Sequence, residues 1–161
     1  MSELPSSGAP APIFDPQNLI QIGIVVKSID ATLDYFRRMF GFGPFEERNV
    51  DYPTATFYGK QSGYRGKRAF FNLGPMQIEL IELIDGKTIH EEFLRTRGEG
   101  MHHIAFKVEN LEEGMRRAEE AGIPVTQSYL RPDGSGGFAY LETDRIGGVA
   151  IELIERSPKK R

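Results

Sequence analysis

Gly100-Met101-His102-His103-Ile104-Ala105-Phe106-Lys107-Val108 places two histidines at the head of a short apolar run. An echo lies in the first half of the chain, Leu19-Ile20-Gln21-Ile22-Gly23-Ile24-Val25-Val26-Lys27. Each run is followed by an acidic amphipathic segment that ends in glycine, Gly41 in the first half and Gly122 in the second. Each half then closes on the same tetrapeptide, Ile-Glu-Leu-Ile, from Ile78 to Ile81 and from Ile151 to Ile154. A motif that recurs at matching places marks an internal duplication, whose copies pair to bury what neither buries alone.

Working outward, the nearly continuous apolar runs at 19–26 and 102–108 predict buried strands. Asp30 is expected to cap a helix on which Leu33, Phe36 and Phe40 recur at helical spacing, with Gly41 ending it. Asn110 is expected to cap its counterpart, which carries Leu111, Met115 and Ala118 and ends at Gly122. Further strands are expected at 45–50, 67–73 and 76–83, and again at 123–129, 138–142 and 149–154. A tight Gly74-Pro75 turn joins the second and third of these. Residues 51–66, rich in tyrosine and glycine, predict a short strand and a long loop. Thr88 to Arg97 predicts a connecting helix with Thr88 as its cap, Ile89, Phe93 and Leu94 inward, and His90 on its surface. The class is α+β, two tandem βαβββ modules forming a curved mixed sheet around a cleft. The expected boundaries are a disordered arm at 1–17, a first module at 18–86, a connecting helix at 87–99, a second module at 100–156 and a tail at 157–161.

Composition narrows the function classes. The chain has 161 residues, 39% hydrophobic and 27% charged, enough for a core and a soluble surface. Its net charge of -3 provides no bulk attraction for nucleic acid or an anionic membrane. With no cysteine there is no disulfide, no thiolate metal site and no cysteine nucleophile. No apolar run approaches a membrane span, and the N-terminus lacks the blocks of a signal peptide, so the cytoplasm is the expected compartment. The expected partner is a small molecule, not nucleic acid or membrane, and the expected assembly is a homodimer.

The duplication also points to a site. Two short modules side by side curve into one sheet, and alternate strand residues face the cleft. Gln21 and His103 then occupy equivalent strand starts, and Glu79 and Glu152 equivalent final strands. A carboxylate that interrupts an apolar strand is costly to bury unless it is paired or binds a cation. Three oxygen-bearing side chains and one imidazole suit Zn, Ni, Co, Mn or Fe, and do not choose among them. Glu152, and with it Glu79, is the candidate for proton transfer, since metal coordination of an enolisable substrate lowers the cost of removing its α proton. His102 is expected to point away from the cleft by alternation, either as a structural residue or as a support behind the ligand His103. Glu82 and Glu155, each three residues past a candidate ligand, fall on the outer face. Tyr58 and Tyr64, from the aromatic cluster at 52–64, are either a substrate lid or ordinary packing. Arg68 and Phe70 are further candidates for substrate contact, although a solvated turn is the plainer reading of Lys67 and Arg68. The hairpin at Gly134 to Gly137 is expected to be flexible.

These segments resemble the vicinal oxygen chelate, or glyoxalase-like, superfamily over roughly residues 19 to 156. Those carrying the resemblance are Gln21 to Lys27, Met76 to Glu82, Met101 to Val108 and Gly147 to Leu153. The last two look most like the methylmalonyl-CoA epimerase branch. The resemblance implies Gln21, Glu79, His103 and Glu152 as the ligands of a divalent metal. It also implies an isomerase or epimerase acting by α-proton abstraction on a small acid or acyl thioester. The alternatives are a glyoxalase-type lyase using the same enolate chemistry, or a non-catalytic small-molecule binding or resistance protein. Epimerases of the branch usually carry histidine where this chain has Gln21. The set Gln, Glu, His, Glu resembles eukaryotic-type glyoxalase I, yet Val25 and Leu83 stand where that enzyme holds glutathione. The epimerase's second catalytic carboxylate has no counterpart on Lys67 to Leu73, and Gln21 argues against a ring-cleaving dioxygenase.

Overall fold

The structure, a computed structural model, describes residues 12–145 and 147–156. Its centre is a duplicated strand pair. Strand β1 (Leu19–Val25) lies parallel to β6 (Met76–Asp85), and β7 (Gly100–Lys107) lies parallel to β10 (Ala150–Arg156). The two pairs join where β1 meets β7 antiparallel, with Ile22 opposite Ile104 and Gly23 opposite His103. Beyond β6 come β5 (Tyr64–Leu73) and β2 (Glu46–Tyr52). Beyond β10 come β9 (Gly136–Leu141) and β8 (Val125–Leu130). The result is the expected α+β architecture, one curled mixed sheet of two strand-helix-strand repeats.

The segment after β2 departs from the expected single strand and loop. It forms two short strands, β3 (Thr56–Phe57) and β4 (Lys60–Gln61), and β3 pairs with β8 of the other half. The Thr56 and Ser128 hydroxyls meet at 2.7 Å, and Tyr58 N donates to Thr126 O at 2.8 Å. The ring of Tyr52 rests on Tyr129 and Phe138, with centroids 4.7 and 5.1 Å away. Backbone pairing and aromatic contact thus tie the outer strand of the first half to the outer strands of the second, and the sheet wraps around its inner face.

Two helices cover the outer face, and a repeated pair of caps fixes them. Helix α1 (Ile29–Phe40) packs Ile29 and Leu33 against Ala69, Phe71, Ile78 and Leu80. Helix α3 (Leu111–Glu120) packs Leu111 and Ala118 against Ala139, Leu141 and Leu153. Ser28, not Asp30, is the N-cap of α1, and Asn110 caps α3 as expected. The open amide at the first residue of each helix is met by a strand carboxylate. Ile29 N donates to Glu82 at 2.7 Å and Leu111 N donates to Glu155 at 2.8 Å. Being three residues past Glu79 and Glu152 puts each of these acids on the opposite face, where the helix dipole favours a negative charge. Gly41 ends α1 in the left-handed region at φ 67, a conformation that costs glycine least.

Helix α2 (Ile89–Arg97) joins the halves, and Thr88 caps it through the amide of Glu91. Its first turn is wedged into the end of the curled sheet, where Ile89 N donates to Gln127 on β8 at 2.9 Å. His90 is therefore buried and not on the helix surface as its position in the sequence suggested. No described helix is long and apolar enough to cross a membrane. The expected N-terminal arm falls outside the described residues as far as position 11. From Ile13 the chain is packed, with Phe14 stacked on Phe106 at 4.2 Å and Asp15 capping a 3-10 turn at Pro16–Asn18. The expected tail at 157–161 also lies outside the described residues.

Because Glu82 bonds the α1 terminus and lies outside the cleft, Glu82→Ala should lower the unfolding free energy by about 1–2 kcal/mol in urea denaturation, and Glu82→Gln by less.

Candidate functional site

The duplicated register dictates where the site forms. On β6, Glu79 lies beside Gly23, two residues past Gln21; on β10, Glu152 lies beside Ala105, two residues past His103. Gln21 and His103 are thus equivalent positions, as are Glu79 and Glu152, and all four are buried. His103 Nε2 is 2.9 Å from Glu152 Oε2 and 3.5 Å from Glu79 Oε2. Ligand atoms bound at about 2.0–2.2 Å to one cation lie roughly 3.0–3.5 Å apart when adjacent. A donor atom from each of Glu79, His103 and Glu152 falls within 4.8 Å of the other two.

Gln21 enters through its neighbour. Arg156 donates to Gln77 Oε1 at 3.4 Å, which fixes that oxygen as an acceptor; Gln21 Nε2 donates to the same oxygen at 2.8 Å. The Gln21 amide is thereby oriented, and its Oε1 is left buried without a protein partner. His103 Nε2 and Glu152 Oε2, also buried, have each other as an ion pair at 2.9 Å. A buried amide oxygen is seldom left without a partner, and with Glu79, His103 and Glu152 beside it the four form a donor set that fits a divalent cation.

The electrostatics separate the two carboxylates. Burial pushes the Glu152 carboxyl up, against the pull of His103, and nearby Glu79 adds to the rise. Burial would raise Glu79 too, but His103 and Arg68 outweigh it and hold that carboxyl below its usual range. Arg68 Nε lies 3.5 Å from Glu79 Oε1, and Arg68 is buried. It is therefore an inward strand residue, not the solvated turn that its sequence neighbours suggested. Burial works against the His103 imidazolium, yet Glu152 and Glu79 overcome it and raise the group to about 9. His102 goes the other way, pushed down to about 3 by burial and by its cationic neighbours His103 and Arg97.

Around this cluster lies a cleft of about 460 Å³, lined by Tyr52, Phe70, Phe138 and Ile154, with Arg48, Arg131 and Arg156 among its polar groups. Of the expected substrate residues, Phe70 lines it. Tyr64 is buried nearby with its ring 5.1 Å from Tyr52 and its hydroxyl unpartnered. Tyr58 lies outside the cleft: it is half exposed, and its hydroxyl donates to Glu92 on α2 at 2.9 Å.

Several contributors were not visible in the sequence. Gly23 is the clearest, since a Cβ there would stand 1.9 Å from His103 Cε1. Only a residue without a side chain leaves space for that imidazole, and the signal was the glycine inside the first copy of the repeat, facing its echo. Gln77 and Tyr140 are the others. The Tyr140 ring lies 5.1 Å from His103, and Tyr140 stands opposite Glu152 in the β9–β10 pairing, where it favours the charged carboxylate.

The raised His103 group carries a pH signature. In metal-free protein its pairing stabilises the fold fully below about 6.5 and is lost as pH rises through about 9. Chemical denaturation of EDTA-treated protein should show stability declining across that window, and His103→Gln should flatten the decline.

Comparison with known proteins identifies the family and the fold. The profile of the Glyoxalase/Bleomycin resistance protein/Dioxygenase superfamily matches residues 20–140. The uncharacterized protein YqjC of Bacillus subtilis (strain 168) is 26% identical over 138 residues, which are 85% of this chain and 91% of that one. A hypothetical protein from Bacillus halodurans C-125 superposes with a TM-score of 0.62 at 27% identity, covering 89% of this chain and 96% of that one. Methylmalonyl-CoA epimerase from Mycobacterium tuberculosis superposes at 0.64 with 22% identity, over 88% of this chain and 89% of that one. The Streptomyces coelicolor epimerase in complex with 2-nitronate-propionyl-CoA gives 0.63 at 22% identity, over 88% and 98%. At 22% the two epimerases attest the fold, and the family match spans most of the chain. The chain belongs to the Glyoxalase/Bleomycin resistance protein/Dioxygenase superfamily.

Proposed function

We propose that this protein is a metal-dependent isomerase, in particular an epimerase, that removes the α proton of a small acid or acyl thioester. The observation that carries this reading is the buried Gln21 oxygen, without a partner among the described residues, beside the buried cluster of Glu79, His103 and Glu152. A divalent cation held by Gln21, Glu79, His103 and Glu152 would polarise a substrate carbonyl and so acidify the neighbouring C–H bond. Glu152 supplies the base, because burial that disfavours its charge also strengthens its attraction for a proton. Glu79 stays ionised beside Arg68 and serves as the anionic ligand. Tyr140, opposite Glu152 on β9, favours the charged carboxylate and so tempers the rise caused by burial. Arg48, Arg131 and Arg156 in the cleft suit a substrate carboxylate or phosphate, and Phe70 and Phe138 suit an acyl chain. The reading includes a homodimer in the cytoplasm; α1 offers an apolar face for such a contact, with Tyr35, Met39 and Phe40 exposed.

A glyoxalase-type lyase is the second reading, and one observation favours it. The inward positions of β5 are held by Arg68 and Phe70, so that strand places no acid across from Glu152 to protonate the opposite face.

Acyl-CoA thioesters and 2-hydroxy thioesters incubated in D2O with cation-loaded protein should take up deuterium at the α carbon by NMR. EDTA treatment should stop the uptake and Mn, Co, Ni or Zn restore it, while Glu152→Gln should slow it by about 10²–10⁴-fold. Exchange that persists in metal-free protein overturns the mechanism. Tight binding of these compounds without exchange, retained in Glu152→Gln, would mark a binding protein instead.

A further inference from the structure

We propose that His102 is a positioning residue for the metal site: it accepts the Nδ1 proton of His103 and so presents His103 Nε2 to the cation. The inference rests on the metal-site reading above. Neighbouring strand residues face opposite sides of a sheet, so His102 has no access to the cleft. Its ring nevertheless turns so that its Nδ1 lies 3.1 Å from the Nδ1 of His103, and both residues are buried. One hydrogen occupies that contact, and one ring must accept it. His103 Nε2 points the other way, 2.9 Å from Glu152 Oε2 and 3.5 Å from Glu79 Oε2, toward the proposed ligand set. A nitrogen that binds a cation carries no hydrogen, so the His103 hydrogen resides on Nδ1 and His102 is its acceptor. The partner of the second nitrogen sets which nitrogen of a histidine is free to ligate.

The surroundings hold the acceptor still. The rings of His90, Phe93 and Tyr140 stand edge-on to His102 with centroids at 4.9, 5.1 and 5.7 Å. His90, buried by the wedging of α2, is part of this clamp. His102 also borders a separate cavity of about 280 Å³ lined by Phe93, Arg97, Leu141 and Asp144, while the cleft is lined by other residues. Replacing His102 therefore removes nothing from the substrate's side of the sheet.

The test measures cation binding and the proton's location, not turnover. Full-length protein is titrated with zinc against a fluorescent chelator. His102→Leu should bind zinc about 10–100-fold more weakly than the wild type. His102→Asn, whose Oδ1 replaces the accepting Nδ1, should recover most of that loss. In zinc-loaded wild-type protein labelled with 15N-histidine, long-range 1H–15N spectra should place the His103 hydrogen on Nδ1; this measurement does not depend on any variant folding. Zinc binding by His102→Leu as tight as wild type overturns the inference alone. A His103 hydrogen on Nε2 in the zinc-loaded protein removes that nitrogen from the ligand set and overturns the inference together with His103's place in the metal reading. A wild-type protein that takes up no zinc overturns the metal reading and this inference with it.

Discussion

The antiparallel pairing of β1 with β7 is the contact on which the other features depend. It sets Gly23 opposite His103, and the missing side chain at Gly23 is the space the imidazole fills. The same pairing joins two parallel strand pairs so that Glu79 and Glu152 approach one histidine from opposite sides. Shifting that register by one residue would turn His103 outward and bring His102 into the cleft. The hydrophobic residues that fix the register, Ile22 against Ile104, therefore also fix the chemistry.

Two carboxylates and an imidazole buried together would be costly if their charges were left uncompensated. The fold manages this unevenly. His103 and Arg68 together keep Glu79 ionised, while Glu152 shares His103 but has no arginine beside it among the described residues and is pushed up by burial toward holding a proton. Identical side chains at equivalent places in the repeat thus acquire different basicities from their neighbours. A duplication makes a symmetric frame, and the residues that break its symmetry, Arg68 among them, give its two carboxylates different electrostatic surroundings.

Much of this was legible in the chain. The repeated strand starts and the twin Ile-Glu-Leu-Ile segments located Gln21, Glu79, His103 and Glu152, because period-two alternation and a duplicated order leave few ways to arrange them. Glu82 and Glu155 were legible as outward residues, though not as partners of helix amides, since a cap depends on where the helix packs. What the sequence concealed was set by contacts between distant segments. The β3–β8 pairing lies in a tyrosine- and glycine-rich stretch with no clear periodicity, and only tertiary pairing makes it a strand. His90 has neighbours of a surface helix, yet α2 is driven into the sheet's end, and Arg68 follows a lysine as a solvated residue would but faces inward. Tyr58, expected near substrate, is drawn away by its bond to Glu92.

Anomalous X-ray diffraction from crystals grown with Mn²⁺ or Co²⁺ decides whether this cleft holds one divalent cation. One strong anomalous peak is expected in the cleft, within about 2.0–2.3 Å of Gln21 Oε1, His103 Nε2 and a carboxylate oxygen of each of Glu79 and Glu152. A cleft without a peak, or a peak held instead between His90 and His102, would contradict this expectation.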